Sequence, residues 1–209
     1  MRPVIRRTSI AAACAATLVS ACAKHENNAD SARLADSAAA ASTPATAATP
    51  TTPSAPALTD ANIVAMVDHA NMADSATGSV AATKGTNSEV KTFGRDMMRD
   101  HHALRKMGQD LAKKINVTPQ MPANDSSETR DKAWLDSLNS MPKGASWDKA
   151  YIDHEVAAHQ QVLSTLQTAQ GAAQNADLKS LITKAIPTIQ SHLKKAQDIQ
   201  SKLQSAKTP

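Results

Sequence analysis

The sequence predicts an all-α protein, and three observations support that prediction. Aromatic residues make up only 2% of the chain and glycine only 6 of its 209 positions, whereas Ala, Leu, Gln, Lys and Met recur throughout its second half. Between Val90 and Ile115, apolar residues recur at steps of three and four, which places them on one face of a helix. No segment alternates apolar and polar residues for long enough to indicate a strand. We therefore expect a helical bundle with a thin core.

The first two long helices should form an antiparallel hairpin. Thr59 is a good N-cap for a first helix that ends at about Gly85. Thr86 and Glu89 have the spacing of a capping box, which would start the second helix at once. That second helix should end near Ile115, and so short a connection makes the two helices antiparallel neighbours.

A long connection, residues 116–146, separates this hairpin from the next helices. Residues 126–141 within it can form a short amphipathic helix. A third long helix is expected over residues 147–170, and a fourth begins after Asn175 or Asp177, either of which can cap it. Because the connection is long enough to cross the bundle, the second and third long helices need not be antiparallel neighbours.

Residues 1–21 have the features of a lipoprotein signal peptide, which must be left out of any reasoning about the fold. Three arginines precede a short apolar stretch, and the sequence VSAC, ending at Cys22, matches a bacterial lipobox. In such a motif the cysteine becomes the acylated N-terminus of the mature protein. A plain secretory signal that is cleaved nearby is the alternative.

Residues 22–58 are expected to be a disordered tether, because they are rich in Ala, Ser, Thr and Pro and have no apolar period. The folded domain should then occupy residues 59–206. An alanine follows Cys22, where an aspartate would favour retention in the inner membrane. These features predict a lipid-anchored protein of the cell envelope, held at the outer membrane and facing the periplasm.

Charge and cysteine content exclude two classes of function. The formal net charge is +4, but three of the positive charges are arginines of the signal peptide, so the mature chain carries about +1 and is not expected to bind nucleic acid. Cys14 leaves with the signal peptide and Cys22 would be acylated. No thiol then remains for catalysis or for a disulfide.

A titratable residue lies in the middle of the apolar face of each long helix. The clearest case is His101, which fills the one gap in the apolar period of the second helix. Measured from the two hairpin turns, the residues of each hairpin should lie within about 8 Å of one another along the bundle axis. The set comprises Asp74, His101, Glu155, His159 and His192.

Three interpretations of this set are possible. The residues could bind a transition metal such as zinc, iron or copper through imidazole nitrogens and carboxylate oxygens. They could form a buried hydrogen-bonded network without a metal. They could also be unrelated core histidines, each with its own partner. Solvent-exposed positions are expected for the four other histidines, which are His25, His69, His102 and His154.

Three short motifs resemble those of a bacterial protein family. They are MMRDH at 97–101, WDKAY at 147–151 followed by His159, and IPTI at 186–189 followed by His192. Their order and spacing are similar to those of domain-of-unknown-function family 4142, whose members are described as predicted outer-membrane proteins. The resemblance covers about residues 59 to 200.

This resemblance implies a ferritin-like four-helix bundle with no established activity. Asp74 stands where the family usually has glutamate, and Asp100 with His101 matches the family's first Asp-His pair, which implies that Asp100 supports the site. In the second pair, Ala158 replaces the aspartate that usually precedes the histidine corresponding to His159.

Two classes of function follow from the sequence. One is an envelope protein that binds or senses a metal, and the other is an interaction or stress protein whose buried polar residues are structural, with a partner the sequence does not identify. An enzyme is least favoured, because the chain has no nucleophile-base pair, phosphate loop or Glu-x-x-His motif of the di-iron proteins.

Overall fold

The computed structural model describes residues 58–205, which form five α-helices and no strand. The helices are α1 (Asp60–Lys84), α2 (Ser88–Lys114), α3 (Ser127–Ser140), α4 (Ala145–Ala172) and α5 (Ala176–Ser205). The predicted all-α bundle, with a short helix in the long connection, is thereby confirmed. The predicted signal peptide and tether, including Cys22, lie outside the described residues.

Helix caps follow the sequence predictions in two cases and depart from them in one. Thr59 caps α1 through a reciprocal capping box with Asn62, and the Asn175 side chain accepts hydrogen bonds from the first N–H groups of α5. The capping box predicted for Thr86 is wrong, because Asn87 caps α2. Thr86 is unavailable, since its N–H and hydroxyl both donate to the carboxylate of Asp148 in α4.

Contacts at the ends of the bundle fix the direction of each helix. The start of α4 meets the start of α2, where Asp148 accepts from Thr86 and Asn87, and the end of α4 lies beside the start of α1, where Asp60 accepts from Gln174. Helices α2 and α4 therefore run in the same direction. The long connection crosses the whole bundle, which its length allows.

The long helices form a ring in the order α1, α2, α5, α4, in which each helix is antiparallel to both neighbours. Helices α1 and α2 approach closely where Gly78 faces Gly94. A Cβ added at Gly78 would lie 2.7 Å from the Gly94 carbonyl oxygen, so only glycine permits this approach. The close crossing brings the middle of α1 against the middle of α2.

Two apolar clusters fill the bundle, one towards each end. The first surrounds Phe93, Trp147 and Tyr151, and the second surrounds Ile63, Leu166 and Ile182. Helix α3 covers the first cluster with Leu138, its one buried residue. Buried polar side chains occupy the level between the clusters, so the core is divided by a polar layer. None of the helices in the described part of the chain is long and apolar enough to cross a membrane.

Candidate metal centre

Three histidines from three helices converge in the polar layer. His101 of α2, His159 of α4 and His192 of α5 are 1%, 0% and 5% exposed. One ring nitrogen from each lies within 4.8 Å of the corresponding nitrogens of the others. The three ring centroids are 5.1 to 5.6 Å apart. The similar depth that the sequence offsets predict for His159 and His192 is present in the structure, and His101 of the other hairpin lies beside them.

In each imidazole one ring nitrogen, called the outer nitrogen below, makes a hydrogen bond, and the other is called the inner nitrogen. Each hydrogen bond shows which nitrogen carries a proton. His101 Nδ1 donates to Asn71 Oδ1 at 2.9 Å, and His159 Nδ1 donates to the Glu155 backbone oxygen at 2.9 Å. His192 Nε2 donates to Asp100 Oδ2 at 3.0 Å. Amide, carbonyl and carboxylate oxygens only accept, so each outer nitrogen carries the proton.

The inner nitrogens have no hydrogen-bond partner in the described residues, and each presents a lone pair when its ring is neutral. They are Nε2 of His101, Nε2 of His159 and Nδ1 of His192. Hydrogen bonds from the far nitrogen to a carboxylate or backbone carbonyl are the usual way that proteins orient metal-binding histidines. Three such rings around one point supply the donor set of a three-histidine metal site with an open position.

Burial keeps two of these rings neutral at physiological pH. Loss of solvent contact, reinforced by the neighbouring histidines, lowers the pKa of His101 from 6.5 to about 2. The same causes lower the pKa of His159 from 6.5 to about 4. A neutral imidazole is the form that binds a metal, so these two rings need not lose a proton before an ion enters.

The two carboxyl groups that the sequence analysis counted as candidate ligands lie behind the rings. Asp74 Oδ2 is 3.5 Å from His101 Nδ1, and Glu155 Oε2 is 3.5 Å from His159 Nδ1. Burial raises the pKa of Asp74 to about 7, with a further contribution from Asp131, and raises that of Glu155 well above its usual value. In the structure these groups contact the outer sides of the histidines and are not among the atoms that converge.

The acidic partner of His192 is Asp100, which comes directly before His101 in the chain. Hydrogen bonds from the Arg99 guanidinium hold the pKa of Asp100 below its usual range, so the carboxylate is ionised and accepts from His192. Arg99 also pairs with Asp96, which contacts Lys195 of α5. A surface network of charges thereby fixes the orientation of a buried ring.

Asn71 is a member of the layer that sequence reasoning missed. Its Nδ2 donates to the Val67 backbone oxygen at 2.8 Å, which turns Oδ1 towards His101. Asn71 precedes Asp74 by three residues and lies on the same face of α1. That spacing could have identified it, but asparagine inside a helix is not by itself an indication of a site.

The outlying histidines differ in exposure. His102 is exposed as predicted, whereas His69 and His154 are half-buried, contrary to the prediction. Contacts with α3 explain the difference, because His69 Nε2 lies 3.0 Å from Asp131 Oδ2 and the His154 ring stacks on Trp134 at 4.3 Å. His25 lies outside the described residues.

Residues 40–199 match the sequence profile of a family described as "Domain of unknown function (DUF4142)". The chain belongs to this family. The match includes all four long helices up to the last turns of α5, and with them every residue of the histidine layer. A search of the curated proteins found no match.

Two solved structures of other proteins have a similar fold. The crystal structure of a DUF305 fragment from Deinococcus radiodurans is 11% identical, with a TM-score of 0.59, and the match covers 68% of this chain and 95% of that one. CopM in the Cu(II)-bound form is 15% identical, with a TM-score of 0.54, and the match covers 69% of this chain and 98% of that one. At these identities the likeness concerns the helical fold alone.

Proposed function

We propose that this DUF4142 protein binds one transition-metal ion in the core of its bundle, through His101 Nε2, His159 Nε2 and His192 Nδ1. The observation that carries the proposal is the agreement of three independent hydrogen bonds. Each outer nitrogen has an acceptor, and each inner nitrogen is left with a lone pair directed to a common region.

A hydrogen-bonded network without a metal accounts less well for this arrangement. Such a network needs a donor for every acceptor, and here three acceptors face one another with no protein donor among residues 58–205. Leaving three polar atoms buried without partners would cost about 1 to 3 kcal/mol each. One metal ion satisfies all three nitrogens at once.

The donor set favours a late first-row ion. Three neutral imidazoles suit Zn²⁺ and copper, and at a given nitrogen site Cu²⁺ binds more tightly than the other divalent ions of the row. CopM, whose fold is similar, was solved with Cu(II) bound, which makes copper one of the ions to test. The proposal is limited to metal binding.

Metal content and thermal stability test the proposal. Purified protein should hold about one equivalent of metal by mass spectrometry, and added Zn²⁺ or Cu²⁺ should raise the melting temperature of chelator-treated protein. His101→Ala should abolish both effects. His102→Ala is the matched control, because the neighbouring ring is exposed and lies outside the layer. A wild type with neither bound metal nor a metal-dependent melt would rule the proposal out.

The place of action is proposed from the sequence. We propose that acylated Cys22 anchors the protein to the outer membrane and that the bundle faces the periplasm. The intact mass of the native protein should show a diacylated or triacylated cysteine at the N-terminus, and Cys22→Ser should release the protein from the membrane fraction. A native N-terminus elsewhere, without lipid, would contradict this location.

A further inference from the structure

A cavity of about 480 Å³ extends from the surface to the histidine layer. Its walls come from α1, α3 and α4, with further residues from α2 and α5. At the inner end it is lined by His101 and Asp74, whereas His159 and His192 are not in its wall. The three histidines are almost completely buried, so an ion must cross the protein to reach them, and this cavity touches one of them.

Side chains that can bind a cation line the cavity at successive depths. Asp125 is exposed at the outer rim, and Asp131 and His69 are partly buried, with side chains 22% and 13% exposed. Asp74 and His101 lie deepest. Asp131 and Asp74 both lie in the wall of this one cavity, so a carboxyl group stands at its entrance and another at its inner end.

Asp131 contacts two other residues at the entrance of the cavity. Its Oδ2 lies 3.0 Å from His69 Nε2, and its Oδ1 accepts from Arg130 Nε at 3.1 Å. Arg130 is two-thirds exposed and carries the one positive charge in the cavity wall that does not depend on pH. Asp131 is therefore paired with His69, whose Nε2 could bind a metal ion, and with Arg130. The positive charge of Arg130 competes with an incoming metal ion for the Asp131 carboxylate.

We propose that this cavity is the route by which the metal ion reaches the three histidines, and that His69 and Asp131 form a transient metal-docking site at its entrance. The inference rests on the proposed metal binding. Neither residue contacts an inner nitrogen of the layer, so the docking site changes how fast the ion arrives and leaves. It leaves the affinity of the final site unchanged.

Loading kinetics separate this role from a structural one. We would mix the metal-free full chain with Co²⁺, follow its visible absorption when it enters a nitrogen site, and measure the equilibrium Kd by competition. Asp131→Asn should slow loading and release together, by on the order of tenfold, with Kd unchanged. Arg130→Gln should change the rates in the opposite direction, because it frees Asp131 from a competing cation.

Two residues on the same helix provide matched controls. Asp136 and Lys132 form an exposed pair on α3, and neither lines the cavity. Asp136→Asn and Lys132→Gln should therefore load at the wild-type rate. The proposal is wrong if Asp131→Asn loads no more slowly than Asp136→Asn, or if its Kd weakens through faster release alone.

A steric variant tests the route without changing charge. Ala158→Phe adds bulk to the cavity wall and should also slow loading and release together, with helix content checked by circular dichroism. Unchanged rates in this variant would mean that the ion enters elsewhere. If the wild type binds no Co²⁺, Zn²⁺ or Cu²⁺, the proposed function fails as well. A wild type that binds metal, with all variants loading alike, removes the route alone.

Discussion

Two buried polar regions of this bundle differ in whether their side chains have all of their hydrogen-bond partners within the protein. At one end, the buried carboxylate of Asp148 accepts from the N–H groups of Thr86 and Asn87, each at 2.8 Å, and also from the Thr86 hydroxyl. Halfway along the bundle, the histidine layer has partners on its outer side only. The first region joins α4 to the turn between α1 and α2, and the second joins side chains of all four long helices.

The difference separates a polar group whose hydrogen bonds are complete within the protein from polar groups that keep an unused acceptor. Asp148 joins the start of α4 to the α1–α2 turn, and its hydrogen bonds are complete within the protein. The histidines are oriented equally well, but their orientation leaves lone pairs unused. Imidazole rings that are held in place on one side, with an unpaired nitrogen on the other, are expected where a metal ion binds that nitrogen.

The largest expected effect is the metal-dependent stability of the histidine layer. With free metal at 1,000 times Kd, binding should add about 4 kcal/mol to the free energy of unfolding. His192→Ala should lose this increment while changing the metal-free protein much less. Urea unfolding with metal and with chelator measures both values. An equal loss under the two conditions would make the layer structural, like the Asp148 region.

Next in size is a pH effect specific to the layer. Burial raises the pKa of Asp74 from 3.8 to about 7, so the folded state keeps a proton that the unfolded chain loses. Its contribution to stability is present below about pH 4 and is lost as the pH rises towards 7. Metal-free Asp74→Asn should therefore be more stable than wild type at pH 8, by at most about 4 kcal/mol at 1.4 kcal/mol per pKa unit.

Urea unfolding of both metal-free proteins from pH 4 to pH 8 checks that sign. His101 and His159, whose pKa values are lowered, contribute in the opposite sense, because their share of stability is present above 6.5 and is lost as the pH falls. At pH 8 both rings are neutral whether the chain is folded or not. A gain for Asp74→Asn that grew towards pH 4 would contradict the raised pKa.

Removing Asp148, whose hydrogen bonds are complete within the protein, should lower the free energy of unfolding by a somewhat smaller amount. This loss should not depend on metal. Asp148→Ala leaves two backbone N–H groups and a hydroxyl without their acceptor, which should cost about 2 to 3 kcal/mol. The loss should be equal with metal and with chelator, and metal content should stay at the wild-type level. A variant that lost its metal would show that the two regions are coupled through the bundle.

Much of the fold could be predicted because helical period and helix caps are local. The gap at His101 and the positions of His159 and His192 were visible for the same reason, since a polar residue in an apolar period indicates a layer. The number of residues between each of these positions and its hairpin turn then predicted a similar depth for the residues of one hairpin, such as His159 and His192.

What the sequence could not show depends on contacts between helices. Thr86 and Glu89 had the right spacing for a capping box, but Thr86 donates instead to Asp148 of α4, which is far away in the sequence. The half-buried state of His69 and His154 depends on where α3 lies, which a long connection leaves open. The side of each ring that Asp74 and Glu155 face depends on side-chain rotamers, which no periodicity determines.

The smallest effect expected concerns the carboxylate that orients His192. Asp100→Asn keeps an oxygen that can accept from His192 Nε2 but loses the charge, whereas Asp100→Ala removes the acceptor. Mutation of such outer partners typically weakens metal binding about 10-fold to 100-fold. We expect the loss of affinity to be near the lower value for Asp100→Asn and near the upper value for Asp100→Ala, measured as Kd by competition with a chelator.

Asp96→Asn is the control, because Asp96 pairs with Arg99 and Lys195 in the same network and contacts no histidine of the layer. If Asp96→Asn weakened binding as much as Asp100→Asn, the surface charge would be acting from a distance, and the hydrogen bond to His192 would not be what completes the outer side of the layer.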